Sequence, residues 1–261
     1  MIKAFDIAHP EDLKATQILR SIPGIESICR KVMEVGYERI LRGENLAMML
    51  KVSEKCMPDV LSLMRQTVSA VGIDMPEVYI YNDPVMNAYT YGETKTFVCI
   101  SSSCIEKLDK NELQCLMAHE CGHILCQHVL YGSVFDVIRN LGERLGLLSY
   151  GLSGPAFLAL QYWSRRSELS ADRCAAVVSG ERVFQSTILK IASGLSDIGS
   201  DPYQLVRQAN EFHEHERRTL LDKIQQNCRM AFYSHPQMVN RAYEIYRWKK
   251  SYVYRSLRSE I

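Results

Sequence analysis

His119-Glu120-Cys121-Gly122-His123 sets two histidines four residues apart and a glutamate directly after the first. At 3.6 residues per turn this spacing stacks both imidazoles on one helical face, where they can reach a single tetrahedral Zn²⁺. Glu120 follows His119 by about 100° of helical rotation, which puts it beside the ion rather than on it. From there its carboxylate can take a proton from water that zinc makes acidic, while the metal polarises a scissile carbonyl. The pattern arises by accident in a chain of this composition at roughly the one per cent level, so it needs support from its surroundings.

That support begins with the helix signals. Asp109 stands before Lys110-Asn111-Glu112 as an N-cap with an acidic residue three positions on, and Leu113, Leu116, Met117, Ile124 and Leu125 carry apolar periodicity. Together they predict one buried helix over 109–130. A catalytic zinc site takes a third protein ligand and keeps one position open, so another element must supply a carboxylate or histidine. Glu168 is the best candidate. It lies in Arg165-Arg166-Ser167-Glu168-Leu169-Ser170-Ala171-Asp172-Arg173, where Glu168 and Asp172 share a face and Ala171 and Ala175 allow close approach to the first helix. Asp172 is placed to accept the free N–H of a ligand histidine or to pair with an arginine. The competing reading is an intrahelical partner for an arginine on a solvated face, against which the alanine flank argues.

These residues resemble the zinc metallopeptidase family typified by the HtpX heat-shock protease and the CAAX prenyl protease, gluzincins in which HExxH is followed by ExxxD. Further motifs occur in the same order. Pro76-Glu77-Val78-Tyr79-Ile80, Asn87-Ala88-Tyr89-Thr90-Tyr91-Gly92 and Phe97-Val98-Cys99-Ile100-Ser101-Ser102 look like that family's strand, Asn-Ala-x-x-x-Gly segment and second strand. Ser234-His235-Pro236 with Arg241 is similar to its C-terminal His-Pro and Arg, and His9-Pro10, Ile22-Pro23-Gly24 and Val52-Ser53 look like its soluble bacterial branch. Cys121 departs from the small aliphatic residue common at its position, which leaves the chemistry untouched.

The resemblance implies His119, His123 and Glu168 as ligands of one zinc per chain, Glu120 as general base and acid, and Asp172 as support behind the ligands. It also implies that His235 and Arg241 stabilise the oxyanion of the tetrahedral intermediate. For these two the alternative is a histidine capping the helix at Pro236 and an arginine at the surface or paired with an aspartate. Asn87 and Ala88 are candidates for binding substrate, because proteases commonly add a peptide to a sheet edge, although the stretch also reads as a plain hairpin arm.

Composition sets the outer bounds. A chain of 261 residues, 47% hydrophobic, is ample for one core. Residues 1–73 read as a helical N-terminal part packed on a catalytic domain over 74–261. Helices are expected near 11–21, 25–42, 54–72, 156–179, 181–193, 202–229 and 236–252, with a small sheet over 78–101, which makes an α+β fold dominated by helix. A formal net charge of +1, with acidic and basic residues intermixed, gives no reason to invoke nucleic acid. Nine cysteines, none spaced as CxxC, fit a reducing compartment, and Met1-Ile2-Lys3-Ala4-Phe5-Asp6 lacks the apolar segment of a secretory signal. The expected location is the cytoplasm.

The uncharged stretch 145–163 raises a membrane question. A single crossing there would part His123 from Glu168, and the stretch is too short for two spans. It is therefore expected to be an apolar loop and helix, with peripheral membrane contact as a minor possibility. Cys115 and Cys126 read as small buried hydrophobes. His213 and His215 point about 200° apart on a charged helix, and His128 falls on the far side of a continuous helix from His119, so none of these three reads as a ligand. The sequence thus predicts a zinc metalloendopeptidase acting on peptide or protein substrates. The alternative is a latent or noncatalytic, zinc-stabilised interaction protein whose cleft is covered by its own 131–163 connection.

Overall fold

The computed structural model describes residues 1–32, 38–92, 94–135, 154–216 and 237–261. The N-terminal part contributes α1 (Ala4–Ile7), α2 (Pro10–Arg20), α3 (Ile25–Val32), α4 (Glu38–Met48), the short strand β1 (Leu50–Lys51) and α5 (Pro58–Val71). Then come β2 (Glu77–Tyr81), β3 (Ala88–Tyr91), β4 (Phe97–Ser101), α6 (Ser102–Lys107) and α7 (Lys110–Leu125). A helical run over 129–135, α8, is followed by α9 (Gly154–Ser179), α10 (Glu181–Ser193), α11 (Gln204–Glu216), α12 (Met238–Trp248) and α13 (Tyr252–Ser259). This is the expected α+β architecture dominated by helix.

The sheet runs in the order β1-β2-β4-β3. β2 and β4 are parallel, with Val78 opposite Val98, while β3 lies antiparallel to β4 at the edge, with Ala88 opposite Ile100 and Tyr91 opposite Phe97. Strand alternation divides the side chains. Val78, Ile80, Val98 and Ile100 join the main core, whereas Tyr79, Phe97 and Cys99 pack on the other face with Leu41, Tyr89 and Tyr91. From α4, Arg42 clamps Glu77 of β2 with two hydrogen bonds of 2.8 and 2.7 Å.

Helix α7 runs through the middle of the molecule, against α5, α9, α10 and β3. Its start is the predicted capping box: the Asp109 carboxylate accepts from the Asn111 and Glu112 amides at 2.8 and 3.0 Å, and Glu112 accepts from the Asp109 amide at 2.9 Å. Its end differs from expectation. The helix stops at Leu125 rather than 130, Gln127 takes a left-handed conformation (φ 58), and the His128 amide turns back to the His123 carbonyl at 2.9 Å. A left-handed residue other than glycine gives no composition signal, so the apolar pattern ran straight through the break.

Two further packings position the site. At Gly122 of α7, an added Cβ would stand 2.8 Å from Cys174 Cβ and 2.9 Å from Ala171 Cα of α9; the missing side chain lets the two helices touch backbone to backbone. Helix α2 lies along α9, and its Ala15 and Leu19 share a second apolar cluster with Tyr131, Phe135, Leu160 and Trp163. Among the described residues no helix is long and apolar enough to cross a membrane. Of the 145–163 stretch, 154–163 form the first turns of α9; the remainder lies outside the described residues, as does the middle of the 131–163 connection.

Candidate metal centre

His119 and His123 of α7 and Glu168 of α9 offer ligand atoms that all lie within 4.8 Å of one another. The two Nε2 atoms are 3.2 Å apart, and each is 3.5 Å from a Glu168 oxygen. Donors held 2.0–2.1 Å from a tetrahedral ion stand about 3.3 Å from each other, so the three converge at the separation a zinc-sized ion requires. All three side chains are at least nine-tenths covered apart from His123, which opens slightly toward a cleft of ≈ 630 Å³. Residues 88–91 of β3 form one wall of that cleft, and Leu116, Trp163, Phe184, Ile188 and Met238 supply apolar surface.

The charges around these donors favour a cation. Asp172 Oδ1 lies 3.0 Å from His119 Nδ1, close though off-line for a straight hydrogen bond. Arg241 of α12 donates to both Asp172 oxygens, at 2.8 Å from Nε and 2.6 Å from Nη2, and its Nη1 is 3.0 Å from Glu168. Burial works against a charged His119, but Asp172 and Glu168 outweigh it and push the imidazole up to about 10. Burial likewise raises Asp172, yet Arg241 and then His119 hold its carboxyl below the usual range. A buried pocket that draws a proton onto a histidine is one in which a metal ion can replace that proton.

Residues 55–249 match the family model described as peptidase family M48. This chain belongs to peptidase family M48. As a member it is a peptidase acting on peptide or protein substrates, and the family's metallopeptidases imply a metal cofactor for the His119, His123 and Glu168 group. The chain is 30% identical over 261 residues to the plastoglobule-localized metallopeptidase 48, chloroplastic, of Arabidopsis thaliana, an alignment covering 98% of this chain and 76% of the plant protein. It is 26% identical over 158 residues to a protease HtpX homolog of Nitrosomonas europaea, covering 49% of this chain and 54% of that protein. Identity to protease HtpX homolog 2 of Methanosarcina mazei is 26% over 188 residues, 62% of this chain and 64% of that one.

The plant protein's name corrects the expectation of cytoplasmic residence. A relative aligned over nearly the whole chain is placed in chloroplast plastoglobules. Unpaired cysteines report reducing conditions, which more than one compartment provides, so they could not single out the cytoplasm.

The remaining candidate residues fall at varied distances from the donors of this M48 site. Glu120 is buried, and its Oε2 accepts a 2.6 Å hydrogen bond from Thr90 Oγ1 on β3. Asn87 is exposed at the cleft wall, with its backbone tied to Ser101 through N–H to Oγ (3.1 Å) and carbonyl to amide (2.9 Å) contacts; Ala88 opens β3 beside it. Arg241 pairs with Asp172 and also lines the cleft. His235 lies outside the described residues. Cys115 and Cys126 are free thiols, both packed with the main core.

Three contributors escaped the sequence. Thr90 could have been found by strand alternation, since it sits two residues from Ala88 on the same face. Gly122 stands inside the motif, and its signal is the pair of small residues, Ala171 and Ala175, on the helix it meets. A continuous helix would carry His128 to the far side; the reversal at Gln127 instead brings its Nδ1 to 3.0 Å from His123 Nδ1. Burial lowers the His128 pKa from its ordinary value despite the hydrogen bond to Asp12.

Proposed function

We propose that this M48 peptidase is a zinc-dependent endopeptidase in which His119, His123 and Glu168 hold the ion and Glu120 moves the protons. The observation that carries this reading is the convergence of two imidazoles and one carboxylate at 3.2–3.5 Å. Nitrogen donors favour zinc over calcium or magnesium, and three protein ligands leave a position for chemistry. Zinc bound there would supply Lewis acidity, polarising the scissile carbonyl and acidifying water.

The protein's own groups do the rest. Glu120 takes the proton from the attacking water and passes it to the departing amine nitrogen, and the Thr90 hydroxyl holds its carboxylate at the cleft wall. Asp172 orients His119, while Arg241 fixes Asp172 and Glu168 in turn. β3 pairs with β4 on one side and lines the cleft with the other, so a peptide extending the sheet along Asn87 and Ala88 would lay its scissile bond over the donors. His235 and Arg241 are the proposed donors to the oxyanion.

The test is a peptide-library cleavage assay with zinc analysis of the same preparations. Glu120→Gln keeps about one zinc and loses hydrolysis by several orders of magnitude, whereas His119→Ala loses the zinc itself. Cleavage by Glu120→Gln equal to that of the unsubstituted protein removes Glu120 from the mechanism.

A further inference from the structure

The outer nitrogen of His123 leads away from the metal donors along a chain of contacts that runs into the core. His123 Nδ1 is 3.0 Å from His128 Nδ1, and His128 Nε2 is 3.1 Å from Asp12 Oδ2. Asp12 belongs to α2 and is itself buried. Its Oδ2 also accepts a 2.5 Å hydrogen bond from Ser170 Oγ, which in turn accepts from the His9 amide at 2.9 Å. The His128 ring is held edge-on by Trp163, centroids 5.6 Å apart, and the Trp163 indole donates to Thr16 of α2 at 3.0 Å.

Hydrogen-bond bookkeeping on these atoms leaves one consistent arrangement. A neutral His123 offers Nε2 to a metal only when its proton is on Nδ1. That N–H faces His128 Nδ1, which accepts it only if the His128 proton is on Nε2. The atom facing Nε2 is a carboxylate oxygen, an acceptor that favours a proton there. We propose that Asp12 is a positioning residue of the metal centre: through His128 it selects the metal-binding tautomer of His123 and fixes that ring's orientation. His119 receives the same service from Asp172 directly. The carboxylate end of the His123 support, Asp12, lies before position 55, outside the stretch that matches the family model, so docking of α2 on α9 becomes part of building the site.

This inference rests on the zinc-site reading above, and the experiment separates the two. In the full-length, metal-free protein with ¹⁵N-labelled histidine, long-range ¹H–¹⁵N correlation at pH 7.5 is expected to show His128 protonated at Nε2 and bare at Nδ1. A proton on Nδ1 would overturn the proposal. Zinc affinity, read by chelator competition on folded protein, is expected to fall about ten-fold in Asp12→Ala, in the range usual for removing a partner behind a ligand histidine. Glu11→Gln, which breaks only the neighbouring 2.7 Å ion pair of α2 with Arg166, is the control and keeps the unsubstituted affinity. Equal zinc affinity for Asp12→Ala and the control would also overturn the proposal. If the unsubstituted protein takes up no zinc, the zinc-site reading is what fails, and the tautomer measurement still decides the role of Asp12.

Discussion

Replacing Gly122 by alanine tests whether the contact between α7 and α9 sets the metal geometry. In an open helix this change stabilises by about 1 kcal/mol, because glycine is the poorer helix former. Here the new Cβ would stand 2.8 Å from Cys174 Cβ and 2.9 Å from Ala171 Cα, against an ordinary carbon separation of about 3.5–4.0 Å. Neither neighbour is the free end of a flexible side chain, so the helices must part by about 0.7 Å. Overpacking of this kind costs about 1–3 kcal/mol, and rigid neighbours argue for the upper end. Subtracting the propensity gain leaves a net loss of about 2 kcal/mol, or about 4–8 °C in Tm for a chain of this size. The metal should suffer more. His119 and His123 ride on one helix and Glu168 on the other, while metal–ligand distances tolerate only about 0.2 Å. Thermal unfolding of the metal-free protein and chelator-competition zinc affinity read the two effects. A variant as stable as the parent, with unchanged zinc affinity, would refute the claim that this close approach builds the site.

Other expectations follow from single contacts. The metal-free His119 imidazole, pushed up to about 10, is protonated at pH 7 and must release that proton to bind a metal. Zinc affinity should therefore rise about ten-fold per pH unit from 7 to 9 and level off near 10, with calorimetry in buffers of different ionisation heat counting about one proton per ion; a pH-independent affinity would contradict this. Thr90→Val removes the donor to Glu120 and should lower kcat about ten- to hundredfold with zinc content intact, since hydrogen bonds to charged groups are worth about 1.5–3 kcal/mol; unchanged steady-state kinetics would dismiss the contact. Arg241→Met strips the guanidinium from Asp172 and Glu168 and should cost about 3–5 kcal/mol in denaturant unfolding of the metal-free protein, the usual result of leaving buried carboxylates unpaired; an unmoved midpoint would show that the pairs contribute nothing.

What the sequence made legible was whatever one helical repeat determines. His119 with His123, and Glu168 with Asp172, are both four-residue spacings, and the Asp109–Glu112 capping box is a three-residue one; pitch alone relates such pairs. Ala171 and Ala175 also marked α9 as the helix that α7 approaches. What the sequence hid depends on where the chain turns and on which segments dock. Nothing in Cys126-Gln127-His128 announces a left-handed residue, so the apolar pattern alone predicts a helix that runs too far and carries His128 to the wrong side. The pairing of Arg241 with Asp172 depends on where α12 docks, 69 positions further along the chain. Asp12 lies 116 positions from His128, and no periodicity spans that distance.

The electrostatics of the buried donors explain why the fold tolerates them. Glu120, Glu168, Asp172 and Asp12 are all buried, and a buried carboxylate is costly unless it is paired and hydrogen-bonded. Asp12 meets the condition with Ser170 and His128, and Asp172 meets it with Arg241. Glu168 shares Arg241 with Asp172 and faces two imidazoles, so positive charge on those imidazoles adds to its compensation. In the metal-free chain a proton on His119 supplies such charge to Asp172 and Glu168, which is the physical content of that raised pKa. A divalent cation supplies more charge at the same place and brings the histidines back to neutrality. The buried acids therefore make a poor core on their own and a good one around a cation, so metal binding and local stability are expected to rise and fall together.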